Sequence, residues 1–170
     1  MKLFAFMGVS GGGKSLIKHS LPLKFLTHYI TRPVREGEID GYHVKHVSFQ
    51  EMEQLKSGQK LATLTSYAGE YYASPIDFVS DVLDKGIPYH ATATMDNINQ
   101  FKALLGKENV VVIYIKPPNI EILRERMLSR GDKAEEVEKR IAHIYSANEL
   151  ENEYLADYVI INDDLDKAVA

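Results

Sequence analysis

The chain alternates short apolar runs with amphipathic stretches, the pattern of strands followed by helices. Leu3–Val9 is apolar almost throughout and reads as a buried strand. A helix starts at Lys14 and is cut short by Pro22, which cannot continue a helix interior. Lys24–Ile30 alternates and reads as one strand, ahead of a polar loop over Thr31–Gly41. Phe49–Ser57 is a predicted helix: Ser48 caps it, Glu51 completes a capping box and Gly58 closes it. Leu61–Tyr67 is a strand that ends at a turn on Gly69. Pro75 opens a helix that runs to about Lys85, with Phe78 and Val82 on its apolar face. Ile87–Thr94 is a strand, and Asp96–Leu105 a helix with Asp96 as its cap. Val110–Ile115 is a β-branched run of the kind buried on both faces of a parallel sheet. Helices follow over Asn119–Ser129 and Lys133–Tyr154, and Tyr158–Ile161 is the last strand. The order implies an α/β fold: a doubly wound parallel sheet with helices on both faces.

The first strand runs into Gly8-Val9-Ser10-Gly11-Gly12-Gly13-Lys14-Ser15, which satisfies G-x-x-x-x-G-K-[ST] at every fixed position. Its glycines let the backbone wrap tightly and aim N–H groups at phosphate oxygens. Lys14 is placed to reach the β- and γ-phosphates and Ser15 to ligate Mg²⁺. A nucleoside triphosphate is the expected ligand of this P-loop.

Bulk properties narrow the rest. A length of 170 residues suits one domain with small inserted lobes. A formal net charge of −4 argues against non-specific nucleic-acid binding. The absence of cysteine excludes disulfides and thiolate metal sites. The apolar run near the start is too short for a signal peptide, and no stretch is long enough to span a membrane, so a cytoplasmic protein is expected.

The loop Thr31-Arg32-Pro33-Val34-Arg35-Glu36-Gly37-Glu38 is the second informative stretch. Arginine forks pair bidentately with phosphate oxygens, so Arg32 and Arg35 could clamp an acceptor phosphate opposite the P-loop. A merely solvated charged loop is the alternative. Together with the P-loop this stretch resembles the guanylate kinase family. Thr31, Arg32, Arg35, Gly37, Glu38 and Gly41 match its T-x-R-x-x-R-x-G-E-x-x-G segment. Gly69-Glu70-Tyr71-Tyr72-Ala73-Ser74 resembles its G-N-Y-Y-G-[ST], Arg126 to Gly131 the R-x-x-x-R-G opening of its lid, and Glu135 to Arg140 the lid's E-E-x-x-x-K-R. Asn162 to Ala168 matches its C-terminal N-D-D-L-D-K-A.

The resemblance implies transfer of the γ-phosphate of ATP to a nucleoside monophosphate, GMP or dGMP, with Mg²⁺. It gives Gly8, Ser10, Gly11, Gly12, Gly13, Lys14 and Ser15 to the ATP phosphates and metal. Arg126 joins the ATP site, and Asn162 goes near the adenine. Arg32, Arg35, Tyr72 and Ser74 go to the acceptor, and Arg130 and Arg140 to charge neutralisation from the lid. About 31–75 would be the acceptor-binding lobe and about 126–150 the lid of a single domain over 1–170. Partners would be small nucleotides, not nucleic acid or membrane.

The departures cluster. Thr63 stands where the family has a guanine-reading Glu, and Thr92-Ala93-Thr94 where it has D-x-D. Val44 replaces an expected Tyr, and His28 an expected serine. Either Thr63, Thr92 and Thr94 read guanine through hydroxyls, or the acceptor is another deoxynucleoside monophosphate or ribose 1,5-bisphosphate. Asp96 is a candidate for the missing carboxylate. A non-catalytic interaction domain of the same fold is the reading from another class, opposed by the intact Lys14, Ser15 and arginines.

Overall fold

A computed structural model describes residues 2–34, 37–67 and 69–169, with the backbone alone at Lys18, His19, Tyr67, Leu165 and Val169. In chain order the elements are β1 (Leu3–Met7), α1 (Lys14–His19), β2 (Lys24–Phe25), β3 (His28–Ile30), β4 (Val44–His46), α2 (Phe49–Ser57), β5 (Leu61–Tyr67), β6 (Glu70–Pro75) and α3 (Asp77–Leu83). They continue with β7 (Tyr89–Thr92), α4 (Met95–Leu105), β8 (Val110–Lys116), α5 (Ile120–Ser129), α6 (Ala134–Ser146), β9 (Tyr158–Ile161) and α7 (Leu165–Val169). The α/β alternation expected from the sequence is present. One sheet has five strands in the order β2-β7-β1-β8-β9, and a second has four in the order β4-β3-β6-β5. In the first, β2 runs parallel to β7 and β8 parallel to β9. In the second, β3 is parallel to β4 and antiparallel to β6, which is antiparallel to β5.

The chain forms two compact units, Met1–Ala5 with Leu23–Val110 and Phe6–Pro22 with Val111–Ala170, and β1 passes from one to the other. In the first unit, Val47, Met52 and Ala73 form a buried cluster joined by Tyr29, Leu61, Leu64 and Tyr71. Phe78 stands edge-on to Phe101, with ring centroids 5.6 Å apart. In the second, Val9, Leu123, Met127, Val137, Ile141 and Ile144 pack together, which ties the phosphate loop to α5 and α6. Burying one such aliphatic side chain stabilises by about 1.5–3 kcal/mol.

Several predicted boundaries move, each for a physical reason. Lys24–Ile30 is two strands, not one. The Leu26 N–H still donates to His90 O at 2.9 Å, but from His28 onward the chain pairs with Val44 and its neighbours in the other sheet. Apolar alternation reports burial and not which partner a strand takes. Pro75 ends β6, where a missing N–H costs no ladder bond, and the helix begins at Asp77 instead. Thr94 rather than Asp96 caps α4: Thr94 Oγ1 accepts from Asn97 N–H, and Asn97 Oδ1 accepts from Thr94 N–H. Asp96 is left exposed in the first turn, where its charge suits the helix dipole. The Lys133–Tyr154 helix breaks after Ser146 at Asn148, which sits in the left-handed region at φ 49°. A 3₁₀ segment, Glu149–Leu155, then replaces it. The Ser48–Glu51 capping box of α2 forms as read.

Candidate active site

The turn out of β1 makes the phosphate loop. Gly8 adopts φ +135°, and a Cβ there would collide with the Ile115 carbonyl of β8, so the chain can pass only as glycine. Gly12 donates to the Val9 carbonyl at 3.1 Å, and the Gly13 carbonyl accepts from Leu16 and Ile17 to start α1. A side chain at Gly11 would press on Leu123 and Met127. Ser10 and Ser15 are exposed, Ser15 in the first turn of α1. Lys14 Nζ bends back and donates to Gly8 O at 2.7 Å and Val9 O at 2.8 Å. These are neutral acceptors, and an ionised phosphate oxygen is a stronger partner for an ammonium group. Asn162 lies buried after β9; its Nδ2 donates to Gly12 O at 2.9 Å, and its carbonyl accepts from Arg126 Nη2 at 2.9 Å.

In the same unit, Asp132 lies between α5 and α6 and gathers Arg130 and Arg140. Its Oδ2 accepts from Arg130 Nη2 at 2.6 Å and from Arg140 Nη1 at 2.9 Å. Asp132 was not singled out in the sequence, since nothing local in Arg130-Gly131-Asp132 shows that Arg140 folds back onto it.

In the other unit, Arg32 follows β3 and is held by Glu38: Nη1 donates to Oε2 at 2.8 Å and Nη2 to Oε1 at 2.7 Å. Glu38, and then Tyr72, favour the charged guanidinium and raise its pKa above the ordinary arginine value, although burial opposes them. Arg32 Nε is buried and makes no hydrogen bond to the described residues. Tyr72, on β6, lies opposite Ile30 of β3 and Thr65 of β5. Thr31 fixes the base of this loop: its hydroxyl donates to Glu70 Oε2 at 2.5 Å and accepts from Tyr71 N–H. Arg35 lies outside the described residues.

Two threonines of the departures, Thr63 and Thr94, join a chain of hydrogen bonds. Thr94 Oγ1 donates to Asn97 Oδ1 at 2.9 Å, Asn97 Nδ2 to Thr63 Oγ1 at 3.5 Å, and Thr63 Oγ1 to Ser74 Oγ at 2.8 Å. Ser74 Oγ lies 3.1 Å from His28 Nδ1. Ser74 thus joins Thr63 to His28 within the buried end of this chain. Thr63 and Ser74 are fully buried, at 2% and 0% exposure, whereas Thr94 is at the surface and Thr92 half-buried at the end of β7. Asn97 was missed in the sequence, though T-x-x-N at Thr94–Asn97 is a capping signal.

The first unit thus holds a carboxylate-held arginine beside a tyrosine, and the second a glycine-rich loop with its lysine. The family model described as guanylate kinase matches residues 1–170. The guanylate kinase of Streptococcus agalactiae serotype III is 33% identical over 174 residues, spanning 98% of this chain and 81% of that protein. That of Streptococcus thermophilus is 31% identical over 170 residues, spanning 96% and 79%. The crystal structure of guanylate kinase from Anaplasma phagocytophilum shares the fold with a TM-score of 0.74 at 24% identity, covering 99% of this chain and 80% of its own. With the whole length matched, the chain belongs to the guanylate kinase family.

Proposed function

We propose that this chain transfers the γ-phosphoryl group of ATP to the phosphate of GMP or dGMP. Family membership over the full length and the arrangement of Arg32, Glu38 and Tyr72 support this reading. Phosphoryl transfer needs positioning and charge neutralisation rather than a protein nucleophile, and this chain's residues are of that kind. The Gly8–Gly13 amides and Lys14 suit the ATP phosphates, with Lys14 exchanging its two carbonyls for phosphate oxygens. Among the described residues no group of three or more His, Cys, Asp or Glu could hold a metal ion. Mg²⁺ would therefore sit on Ser15 and the nucleotide, where it supplies charge neutralisation. Arg32, with Arg35 and Tyr72, holds the acceptor phosphate, and Arg130 and Arg140 leave Asp132 for the transferring group. Such a reaction belongs in the cytoplasm, where ATP and nucleoside monophosphates meet. No helix among the described residues is long and apolar enough to cross a membrane.

A non-guanine acceptor is the second reading. It is favoured by Thr63, whose hydroxyl proton is already committed to Ser74 and whose place in the family pattern calls for a carboxylate. ADP formation measured with GMP, dGMP, dTMP, dCMP, ribose 1,5-bisphosphate and no acceptor tests both. The expected result is acceptor-dependent turnover, fastest with GMP or dGMP. Turnover fastest with another acceptor selects the second reading, and an equal rate without acceptor refutes transfer.

A further inference from the structure

Asn162 is linked to the phosphate loop across most of the sequence, and we infer that it is a positioning residue: it holds the Gly12 carbonyl so that the Gly13 N–H faces the nucleotide's phosphate chain. The inference rests on the reading of Gly8–Ser15 as the ATP site.

Asn162 is itself clamped. Its backbone N–H donates to Lys116 O at 2.8 Å, its backbone carbonyl accepts from Arg126, and only 3% of it is exposed. Its amide orientation is fixed by chemistry, because only Nδ2 can donate to the Gly12 carbonyl, at 2.9 Å. No peptide among the described residues is cis. In a trans peptide the C=O and the following N–H point in opposite directions. Drawing the Gly12 oxygen toward Asn162 therefore turns the Gly13 N–H to the other side. Of the loop's neighbouring backbone groups, the Gly12 N–H is taken by Val9 and the Gly13 carbonyl by Leu16 and Ile17. The amide also presses on Gly13 so closely that a Cβ there, at φ +96°, would fall on Nδ2. Asn162 thus orients a donor that ATP meets, without needing to touch ATP itself.

Calorimetric titration of ATP, ADP and inorganic tripolyphosphate into the wild-type chain and into Asn162→Ala tests this. All three should bind about tenfold more weakly to the variant, the loss expected when a buried acceptor forfeits its donor, with the KM for GMP unchanged. Asn162→Asp, which keeps the size but sets a carboxylate against a carbonyl, should bind more weakly still. A loss confined to the adenine nucleotides, with tripolyphosphate unaffected, would overturn the inference in favour of direct adenine contact. Unchanged binding of all three would overturn it outright. If both variants fail to fold, the wild-type chain decides: the Gly13 amide resonance should move downfield with tripolyphosphate, and a Gly13 amide that stays still while its neighbours shift refutes the role. A wild-type chain that binds neither ATP nor tripolyphosphate would overturn the donor-site reading, and this one with it.

Discussion

Glu38 and Asp132 each hold arginines of the proposed site, and they hold them differently. Glu38 offers each terminal nitrogen of Arg32 its own oxygen, at side-chain exposures of 24% and 13%. Asp132 offers Arg130 and Arg140 one shared oxygen, and those arginines are 48% and 37% exposed. A bidentate, mostly buried pair is costly to rearrange, so Arg32 is set in place before any ligand arrives. Arg130 and Arg140 are far more exposed than Arg32, although Asp132 itself is only 19% exposed, so on the proposed reading they trade Asp132 for phosphate at smaller cost. On the proposed reading, Arg32 is a fixed phosphate receptor, and Arg130 and Arg140 form a movable one.

The sharpest way to break that comparison is Arg32→Ala. Removing two charge-assisted hydrogen bonds to an acceptor phosphate should lower kcat/KM for the acceptor by roughly 100-fold or more, with the KM for ATP little changed. A loss below about threefold would show that Arg32 is not the receptor. Glu38→Gln should raise the acceptor KM about tenfold and lower stability by about 1–2 kcal/mol in a denaturant melt, since Arg32 keeps its burial and loses its charge partner. Asp132→Asn should leave stability within about 0.5 kcal/mol and kcat within about threefold. If it proves more costly to stability than Glu38→Gln, the fixed and movable roles are reversed.

The smallest effect is a control on acid stability away from both arginine sets. Asp81 is held well below the usual carboxylate pKa by Lys85, then Tyr89 and Lys24. A depressed pKa adds stability above the unfolded value of 3.8 and loses it as pH falls below that. Asp81→Asn should therefore flatten the acid limb of a stability–pH curve and leave the acceptor KM unchanged. A shifted acceptor KM would mean that the first unit transmits surface changes to Arg32.

Much of this was legible in the sequence where the determinants are contiguous. Leu61–Tyr67 and Tyr158–Ile161 are strands as read, the Ser48 capping box forms, and the P-loop spans eight residues in a row. What stayed hidden depends on partners far along the chain. Glu38 matched a motif, but its grip on Arg32 depends on how the loop folds, and the bond from Asn97 to Thr63 crosses from α4 to β5. Asp132 joins α5 to α6 through side chains that no local pattern pairs. β4, three residues inside a polar region, has no periodicity to detect.

The passage from β2 to β3 has a consequence for insertions and deletions. Only Leu26 and Thr27 separate a strand of one sheet from a strand of the other. Tyr29 and Ile30 are registered against Ala73 and Tyr72, two residues before Arg32. One residue gained or lost here would swap the faces of β3 and turn Arg32 away from Tyr72, even with every side chain conserved. Chain length is therefore as tightly specified as residue identity between Phe25 and His28, and length variation among relatives should fall elsewhere.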